Sequence, residues 1–212
     1  MKNYINKWNN YTIGKVEWIN KRINHPCRKH FINFVIGNSI RNILEIGIGE
    51  GVEYKQLKHL VRTYTVLDVS TTFLKNHKGN FRVNGDMVEI PFKNKSIDLS
   101  YGVSVLCHSP NVRATIKEIC RVSKQYYFTM FKWCMRKNSN LNHYFEEHKQ
   151  YYTSTFNVYS IFDEFKKYSN ITSTIVTTKT GRRIPFSDYA KLLGEEDEIR
   201  NGDYLSIIGV PK

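Results

Sequence analysis

The chain has 212 residues, of which 41% are hydrophobic and 24% are charged. This composition is typical of globular proteins and excludes wholesale disorder. The length fits one well-filled α/β domain and is short for two. The formal net charge of +13 is the unusual bulk property of the sequence.

The positive charge has two interpretations. A phosphate-rich partner, most obviously RNA or DNA, would explain it functionally. A compositional bias toward Lys, Asn and Ile, with the lysines simply solvated, would explain it without any partner. The densest basic cluster comprises Lys21-Arg22, His25 and Arg28-Lys29-His30, and it is not a continuous basic block.

The sequence carries no sign of export or of a membrane segment. Its first ten residues, MKNYINKWNN, lack the apolar core of roughly 7–15 residues that defines a signal peptide. No stretch approaches the roughly 18 apolar residues of a membrane span. Cys27, Cys107, Cys120 and Cys134 are scattered without a CxxC pair, which favours reduced thiols. We therefore expect a cytoplasmic protein that does not contact a membrane.

The first 40 residues predict helices, because apolar side chains recur at spacings of three and four. The three stripes are Tyr4, Ile5, Trp8 and Tyr11, then Val16, Ile19 and Ile23, and finally Phe31, Phe34 and Val35. Gly14 and the His25-Pro26 bond separate the three predicted helices, and Gly37-Asn38 ends the last one.

From Asn42 onward, short β-rich runs alternate with helical runs. The predicted strands are NILEIGI, YTVLDVS, FRVNGD, SIDLSYGV and QYYFTMF, and the predicted helices are VEYKQLKHLV, TTFLKNH and NVRATIKEICRV. This alternation favours βαβ units, which form a mainly parallel sheet with helices on both faces.

The pattern is less regular after Phe131. We expect an irregular, polar and aromatic segment, then a helix capped by Thr155, and then two β-branched strands in ITSTIVTT and DYLSIIGV. No internal repeat and no linker-like tract interrupts the chain, so a single domain is expected.

Three glycines, Gly47, Gly49 and Gly51, follow the first predicted strand in LEIGIGEG. Glycine weakens regular structure, so its use here indicates that the backbone approaches a ligand or a neighbouring element closely. A dinucleotide-binding fingerprint would place its third glycine at position 52, where this chain has Val52, and a phosphate-binding P-loop would need a following Gly-Lys-Ser/Thr.

Acidic residues mark the ends of the next two strands. Asp68 ends the second strand, where it could accept hydrogen bonds from ribose hydroxyls, although it could also cap the following helix. Asp86 follows the third strand, where it could accept from an exocyclic amine, or simply form a turn after Gly85. Glu45, inside the glycine stretch, adds a third acid.

Together these motifs resemble the class I S-adenosylmethionine-dependent methyltransferases, in particular their small methyltransferase-domain branch. The resemblance rests on LEIGIGEG, LDVS, GDMVEIPFKNKSIDLSYGVSVLCHSPN and EICRVSK, with DYLSIIGVPK similar to the closing strand. It implies a doubly wound α/β fold with a seven-stranded sheet of order 3-2-1-4-5-7-6 and an antiparallel last strand. It also implies S-adenosyl-L-methionine as the cofactor and S-adenosyl-L-homocysteine as the product.

The family likeness divides the single domain 1–212 into three parts. Residues 1–40 would form a helical N-terminal extension or lid, and residues 41–131 the cofactor-binding core. Residues 132–212 would supply the substrate side and the closing strands.

Cofactor roles follow from the same likeness. Gly47, Gly49 and Gly51 would pack against the methionine part of the cofactor, and Glu45 would orient its ammonium group.

At the adenosine end, Asp68 would hold the ribose hydroxyls and Val69 would lie beside the adenine. Asp86 would accept from the adenine amine, Met87 would lie against the ring or serve as core filler, and Val103 would line the floor of the site.

The acceptor side is less specified by the sequence. His108, after the fourth strand, is the candidate catalytic base or substrate contact, and no metal site is expected. The candidate acceptor contacts are Tyr4, Tyr11, Tyr101, His108, Trp133, His143 and Tyr144.

A small-molecule acceptor is the favoured hypothesis, because no appended RNA-binding module is evident. RNA is the alternative, favoured by the charge, by residues 21–30 and by Arg182-Arg183, but disfavoured by YGVS where nucleic-acid amino-methylating enzymes of this fold carry Asn/Asp-Pro-Pro-aromatic. A third hypothesis is a non-catalytic cofactor-binding homologue. The sequence leaves the acceptor atom and the oligomeric state open.

Overall fold

The computed structural model describes residues 2–10, 24–49, 51–77, 79, 81–131, 133–135, 142–147, 152–193 and 203–212. Of residues 2–4, 134, 142–147 and 152 it describes the backbone alone. The helices are α1 (Lys2–Asn9), α2 (Pro26–Gly37), α3 (Val52–Leu57), α4 (Thr71–Asn76), α5 (Val112–Val122), α6 (Val158–Tyr168) and α7 (Phe186–Leu193). The strands are β1 (Asn42–Ile46), β2 (Thr63–Asp68), β3 (Phe81–Asn84), β4 (Ile97–Val103), β5 (Ser123–Met130), β6 (Trp133–Cys134), β7 (Asn142–Glu147), β8 (Tyr152–Asn157), β9 (Ser169–Thr177), β10 (Arg183–Pro185) and β11 (Tyr204–Pro211).

The main sheet has the order β10-β9-β11-β5-β4-β1-β2-β3. Strands β1 to β5 run parallel, and β11 runs antiparallel to both β5 and β9. With β9 as the sixth strand and β11 as the seventh, this is the predicted order 3-2-1-4-5-7-6, which confirms the α/β fold. The prediction of seven strands was one too few, because the short β10 pairs with β9 at the edge.

Side chains that alternate along the central strands separate two hydrophobic cores. Ile43 of β1 belongs to the core under α2, α3 and α4, whereas Leu44 and Ile46 belong to the core under α5 and α6. This alternation follows from the two-residue period of a strand, and it places helices on both faces of the sheet.

The segment after β5 is more regular than the sequence suggested. Strands β6, β7 and β8 form a second sheet, in which β8 pairs parallel to β6 and antiparallel to β7. The expected cap at Thr155 was wrong, because Thr155 is buried inside β8. Asn157 caps α6 instead, and its side chain accepts a hydrogen bond from the Ser160 N–H at 3.0 Å.

Two of the three predicted N-terminal helices are present as α1 and α2, and the one predicted between them lies outside the described residues. His25 caps α2 and accepts from the Cys27 N–H, and Pro26 occupies the first turn. In the helices that the structure describes, length and apolar character fall short of a membrane-crossing segment.

Gly102 in β4 lies where three strands pack closely. A Cβ atom there would lie 2.8 Å from Cε1 of Phe128 and 3.1 Å from the Ile46 carbonyl oxygen. We expect Gly102→Ala to lower the free energy of unfolding by about 1–3 kcal/mol, because core overpacking forces strain. Gly37→Ala is the matched control, since a Cβ at Gly37 meets nothing within 4 Å. Urea unfolding checks both variants, and equal stabilities would contradict the packing argument.

Candidate functional site

The candidate site lies at the carboxyl edge of the parallel strands. Strand β1 connects to β2 on one side, whereas β4 and β5 extend the sheet on the other, so the strand order reverses direction between β1 and β4. Ligands of open α/β sheets bind in the crevice at such a switch point.

A glycine turn leads from β1 to α3 at this edge. Gly47 has φ 70° and its N–H donates to the Leu67 carbonyl oxygen at 2.8 Å. A Cβ atom at Gly47 would overlap the Val105 side chain, so the turn fits against this residue only without one. Gly49 has φ 50° and faces open space, because a Cβ there would meet nothing within 4 Å. The turn therefore leaves room beside bare backbone, and Gly51 then begins α3 with φ 61°.

The Asp68 carboxylate holds this turn in place. Its Oδ2 accepts from the Ile48 N–H at 3.0 Å, and its Oδ1 accepts from the Ser70 N–H at 2.8 Å. Burial raises the pKa of Asp68 to about 6, although these backbone N–H groups oppose the rise. The cap of α4 is Ser70 rather than Asp68, since the Ser70 hydroxyl accepts from the Phe73 N–H.

Asp86 lies just beyond β3 and has an unused acceptor. Its Oδ1 accepts from the Val88 N–H at 3.1 Å, as in a turn. Its Oδ2 is buried and has no hydrogen-bond partner among the described residues. A buried acceptor without a donor costs free energy, so this atom is suited to receive a donor from a ligand. Met87 beside it is buried at 6% exposure, and Val69 after β2 is half-buried.

Glu45 is buried beneath the turn rather than exposed in the crevice. Its carboxylate accepts from the Tyr64 hydroxyl at 2.9 Å, and the Tyr64 hydroxyl also contacts that of Tyr101. Burial raises the pKa of Glu45 well above its ordinary value, and the nearby Glu53 carboxylate adds to the rise. Glu53, in the first turn of α3, is itself buried and paired with Arg28 of α2.

Helix α1 is attached beside Asp68 by its last residues. The Asn9 side-chain oxygen accepts from the Thr71 N–H at 2.9 Å, and the Asn9 carbonyl oxygen accepts from the Thr72 hydroxyl at 3.0 Å. The Ser70 hydroxyl donates to the carbonyl oxygen of Trp8.

The Trp8 ring reaches across the sheet edge. Its centroid lies 5.0 Å from that of His108, which is half-buried in the 3₁₀ turn after β4. The Trp8 backbone is bonded to Ser70 after β2, and its ring contacts His108 after β4. Because β1 lies between β2 and β4, Trp8 spans the carboxyl end of β1.

Several predicted residues come together here, and others do not. The predicted residues around the crevice are Gly47, Gly49, Gly51, Asp68, Val69, Asp86, Met87, Val103 and His108. Tyr101 and Trp133 were expected to contact the acceptor. This expectation needs correction, because Tyr101 is 0% exposed and stacked on Phe31, and Trp133 is 3% exposed and packed near Phe186.

Other predicted contacts cannot be placed. Tyr11 and the side chains of Tyr4, His143 and Tyr144 lie outside the described residues. Within the described part of the chain, no group of three His, Cys, Asp or Glu side chains is arranged to hold a metal ion.

Sequence reasoning missed the anchor of α1 and the buried Arg28–Glu53 pair. Asn9 is a polar residue at a helix end, and its partner Thr71 is 62 residues later in the sequence. No local pattern reports such a pairing. The Trp8-Asn9 pair, at the end of an apolar stripe, was the available hint.

Residues 44–126 match the model of a protein family described as a methyltransferase domain. The chain is also similar to cycloartenol-C-24-methyltransferase of Arabidopsis thaliana, with 37% identity over 54 residues. That alignment covers 25% of this chain and only 16% of the relative, so the chain spans a small part of the relative's length.

Solved structures share the fold. An S-adenosylmethionine-dependent methyltransferase from Thermotoga maritima, described as a possible histamine N-methyltransferase, has a TM-score of 0.61 at 16% identity, over 92% of this chain and 94% of its own. The [4+2]-cyclase SpnF has a TM-score of 0.63 at 10% identity, over 87% of this chain and 80% of its own. At these identities the likeness shows the fold alone.

The raised pKa of Asp68 predicts the sign of a pH effect. A carboxyl whose pKa is higher in the folded than in the unfolded protein stabilises the fold when protonated. Its contribution is present below the ordinary pKa of 3.8 and is lost as the pH rises through about 6. Between about pH 4 and about pH 7, we expect wild type to lose on the order of 2–3 kcal/mol more unfolding free energy than Asp68→Asn. Urea unfolding at both pH values checks this, and parallel pH profiles would contradict it.

Proposed function

We propose that this chain, which carries a class I S-adenosylmethionine-dependent methyltransferase domain, transfers a methyl group from that donor to a small-molecule acceptor. One observation carries the proposal. Oδ2 of Asp86 is a buried acceptor without a donor, at the strand end next to Asp68 and across from the open glycine turn. An adenosyl group offers donors that suit both carboxylates.

The described residues fit such a cofactor. Asp68 uses each oxygen for one backbone N–H, and a carboxylate has about four lone-pair sites, so it can still accept from ribose hydroxyls. Asp86 Oδ2 would accept from the adenine amine, with Met87 and Val69 beside the ring. The open space at Gly49 would take the methionine part, and Val103 would line the floor.

Glu45 would act on the ammonium end from beneath the turn. In the free protein, burial and Glu53 favour its protonated form, with Tyr64 as the hydrogen-bond partner. A cationic group nearby would favour the ionised form, because opposite charges stabilise each other.

The cofactor, when bound, supplies a methyl group on a sulfonium that is already a good leaving group. The protein therefore mainly holds the acceptor in line, and such orientation is worth about 7–11 kcal/mol in favourable cases. His108 lies on the rim after β4 and would take a proton from an acceptor that arrives protonated.

Helix α1 would serve as a lid over the cofactor. Three features support this role: its hydrogen bonds to Thr71 and Thr72, its contact with Ser70, and the Trp8–His108 ring contact across the end of β1. A lid excludes water and retains the cofactor during transfer.

One curated relative supports a small acceptor. The Arabidopsis relative is named for methylation of cycloartenol, which is a small molecule. The second sheet, β6 to β8, lies beside the 3₁₀ turn Leu106–His108 that follows β4, where an acceptor pocket would form.

Asp86 provides the direct test. We expect Asp86→Asn to weaken S-adenosylmethionine binding by about 1.5–3 kcal/mol, because the amide places a donor against the adenine amine. Isothermal titration calorimetry measures the dissociation constant. Asp163→Asn is the charge-matched control, because Asp163 is exposed on α6 and pairs only with Lys166 among the described residues. Unchanged affinity in Asp86→Asn would remove the adenine assignment.

Asn9 tests the lid. We expect Asn9→Ala to speed dissociation of S-adenosylmethionine about tenfold, because it removes hydrogen bonds of roughly 1 kcal/mol each to Thr71. Stopped-flow tryptophan fluorescence measures the rate. Asn10→Ala is the neighbouring control, since Asn10 is exposed and only its backbone N–H bonds to Asn6. Equal rates in the two variants would argue against a lid at α1.

A further inference from the structure

Four basic residues from distant parts of the sequence lie on two segments that contact each other, α2 and the β9–β10 connection. We call Lys29, Lys179, Arg182 and Arg183 the basic rim. Helix α2 carries Lys29, and the connection between β9 and β10 carries Lys179 and Arg182, with Arg183 as the first residue of β10.

Direct contacts join the two halves of the basic rim. His30 lies near the backbone of Gly181, and a Cβ at Gly181 would lie 3.4 Å from the Pro26 ring. Burial, together with the positive charges of Arg183 and Lys29, lowers the pKa of His30. His30 is therefore neutral near pH 7, and it ties the start of α2 to the β9–β10 connection.

The basic rim lies at the same edge as the candidate site. Strands β9 and β5 are both antiparallel to β11, so β9 ends at the carboxyl edge of the sheet. The start of α2 lies there too, because Arg28 pairs with Glu53 in the first turn of α3, immediately after the glycine turn. The rim therefore lies at the carboxyl edge beyond β5, with β11 between β5 and β9, on the half of the edge where we place the acceptor.

The charge of the basic rim is not neutralised by the described residues. All four side chains are exposed, and none has an ion-pair partner in the part of the chain that the structure describes. Arg28 differs, because Glu53 pairs with it. The nearby Asp203 carboxylate is engaged by the Tyr189 hydroxyl and the Lys179 backbone N–H.

We propose that the basic rim binds phosphate groups of the methyl acceptor, and this inference rests on the proposed function. Arginine presents a planar fork of donors that matches phosphate oxygens, and lysine adds a mobile charge. Phosphate esters carry the negative charge that these four cations, which form no ion pair with the described residues, would select beside the proposed acceptor site. The phosphate belongs either to a phosphorylated small molecule or to an RNA strand, and the two sources differ in size and salt dependence.

The experiment compares Arg182→Ala/Arg183→Ala with Arg41→Ala/Arg62→Ala. The control pair removes the same net charge from exposed residues at the opposite, amino edge, where Arg62 donates its backbone N–H to the Arg41 carbonyl oxygen. One arm measures fluorescence anisotropy of a labelled single-stranded RNA over a range of salt concentrations. The other measures calorimetric binding of sodium pyrophosphate. Titration of each variant with S-adenosylmethionine reports separately on the cofactor site and on folding.

For an RNA acceptor, we expect the affinity of wild type to fall steeply with salt, with a slope of about 0.7 per neutralised phosphate. Arg182→Ala/Arg183→Ala would weaken RNA binding at least tenfold and reduce the slope by about 1–2, and the control pair would change it little. For a small phosphorylated acceptor, pyrophosphate binds in a rim-dependent manner and RNA does not.

The inference is overturned if neither probe binds, or if both double variants lose affinity equally. If wild type does not bind S-adenosylmethionine, the proposed function is overturned instead. The RNA and pyrophosphate measurements still report on the basic rim in that case.

Discussion

The attachment of the glycine turn to the end of β2 is the constraint on which the rest of the site depends. The Gly47 N–H donates to the Leu67 carbonyl oxygen, and the Ile48 N–H donates to Asp68. These bonds fix where α3 begins, and therefore where Glu53 meets Arg28 of α2. The carboxylate that shapes the turn is also the one that we propose to hold the ribose, so one group would serve both structure and binding. Its pKa near 6 reflects that compromise between burial and backbone hydrogen bonds.

Features with local signals could be predicted from the sequence. The parallel core and the ends of β2 and β3 follow from apolar periodicity and from glycine and aspartate at strand ends, whereas the strand order was implied by the resemblance to the class I methyltransferases. The predicted cap of α6 was wrong. Thr155 and Asn157 are both residue types that cap helices, and only the packing of β8 against other strands buries Thr155. The sequence did not predict the second sheet either. Its three strands lack a strong alternation of apolar and polar residues, and they depend on one another for pairing.

Aromatic and acidic residues show most clearly what could not be predicted from the sequence. Tyr101 lies on a strand that ends at the site, yet its ring stacks on Phe31, which is 70 residues earlier in the chain. Glu45 shares a face of β1 with Ile43, as the two-residue period requires. What its carboxyl group meets depends on Tyr64 of the neighbouring strand and on Glu53 of a helix. Such partners are set by tertiary packing, so residue type alone could not separate a cofactor contact from a buried network.

The two halves of the carboxyl edge would have different roles in the proposed function. The half formed by β1, β2 and β3 holds the glycine turn, Asp68 and Asp86, which we propose to bind the nucleoside part of the cofactor. The same fold also supports a [4+2]-cyclase, so the architecture by itself does not determine the chemistry. We therefore place the acceptor side on the half formed by β4, β5, β11 and β9. In this chain that half carries His108, with the second sheet beside it, and the two arginines of the basic rim, which form no ion pair with the described residues. We propose that these residues determine the acceptor, and the exposed positive charge of the basic rim would then favour an anionic acceptor over an apolar one.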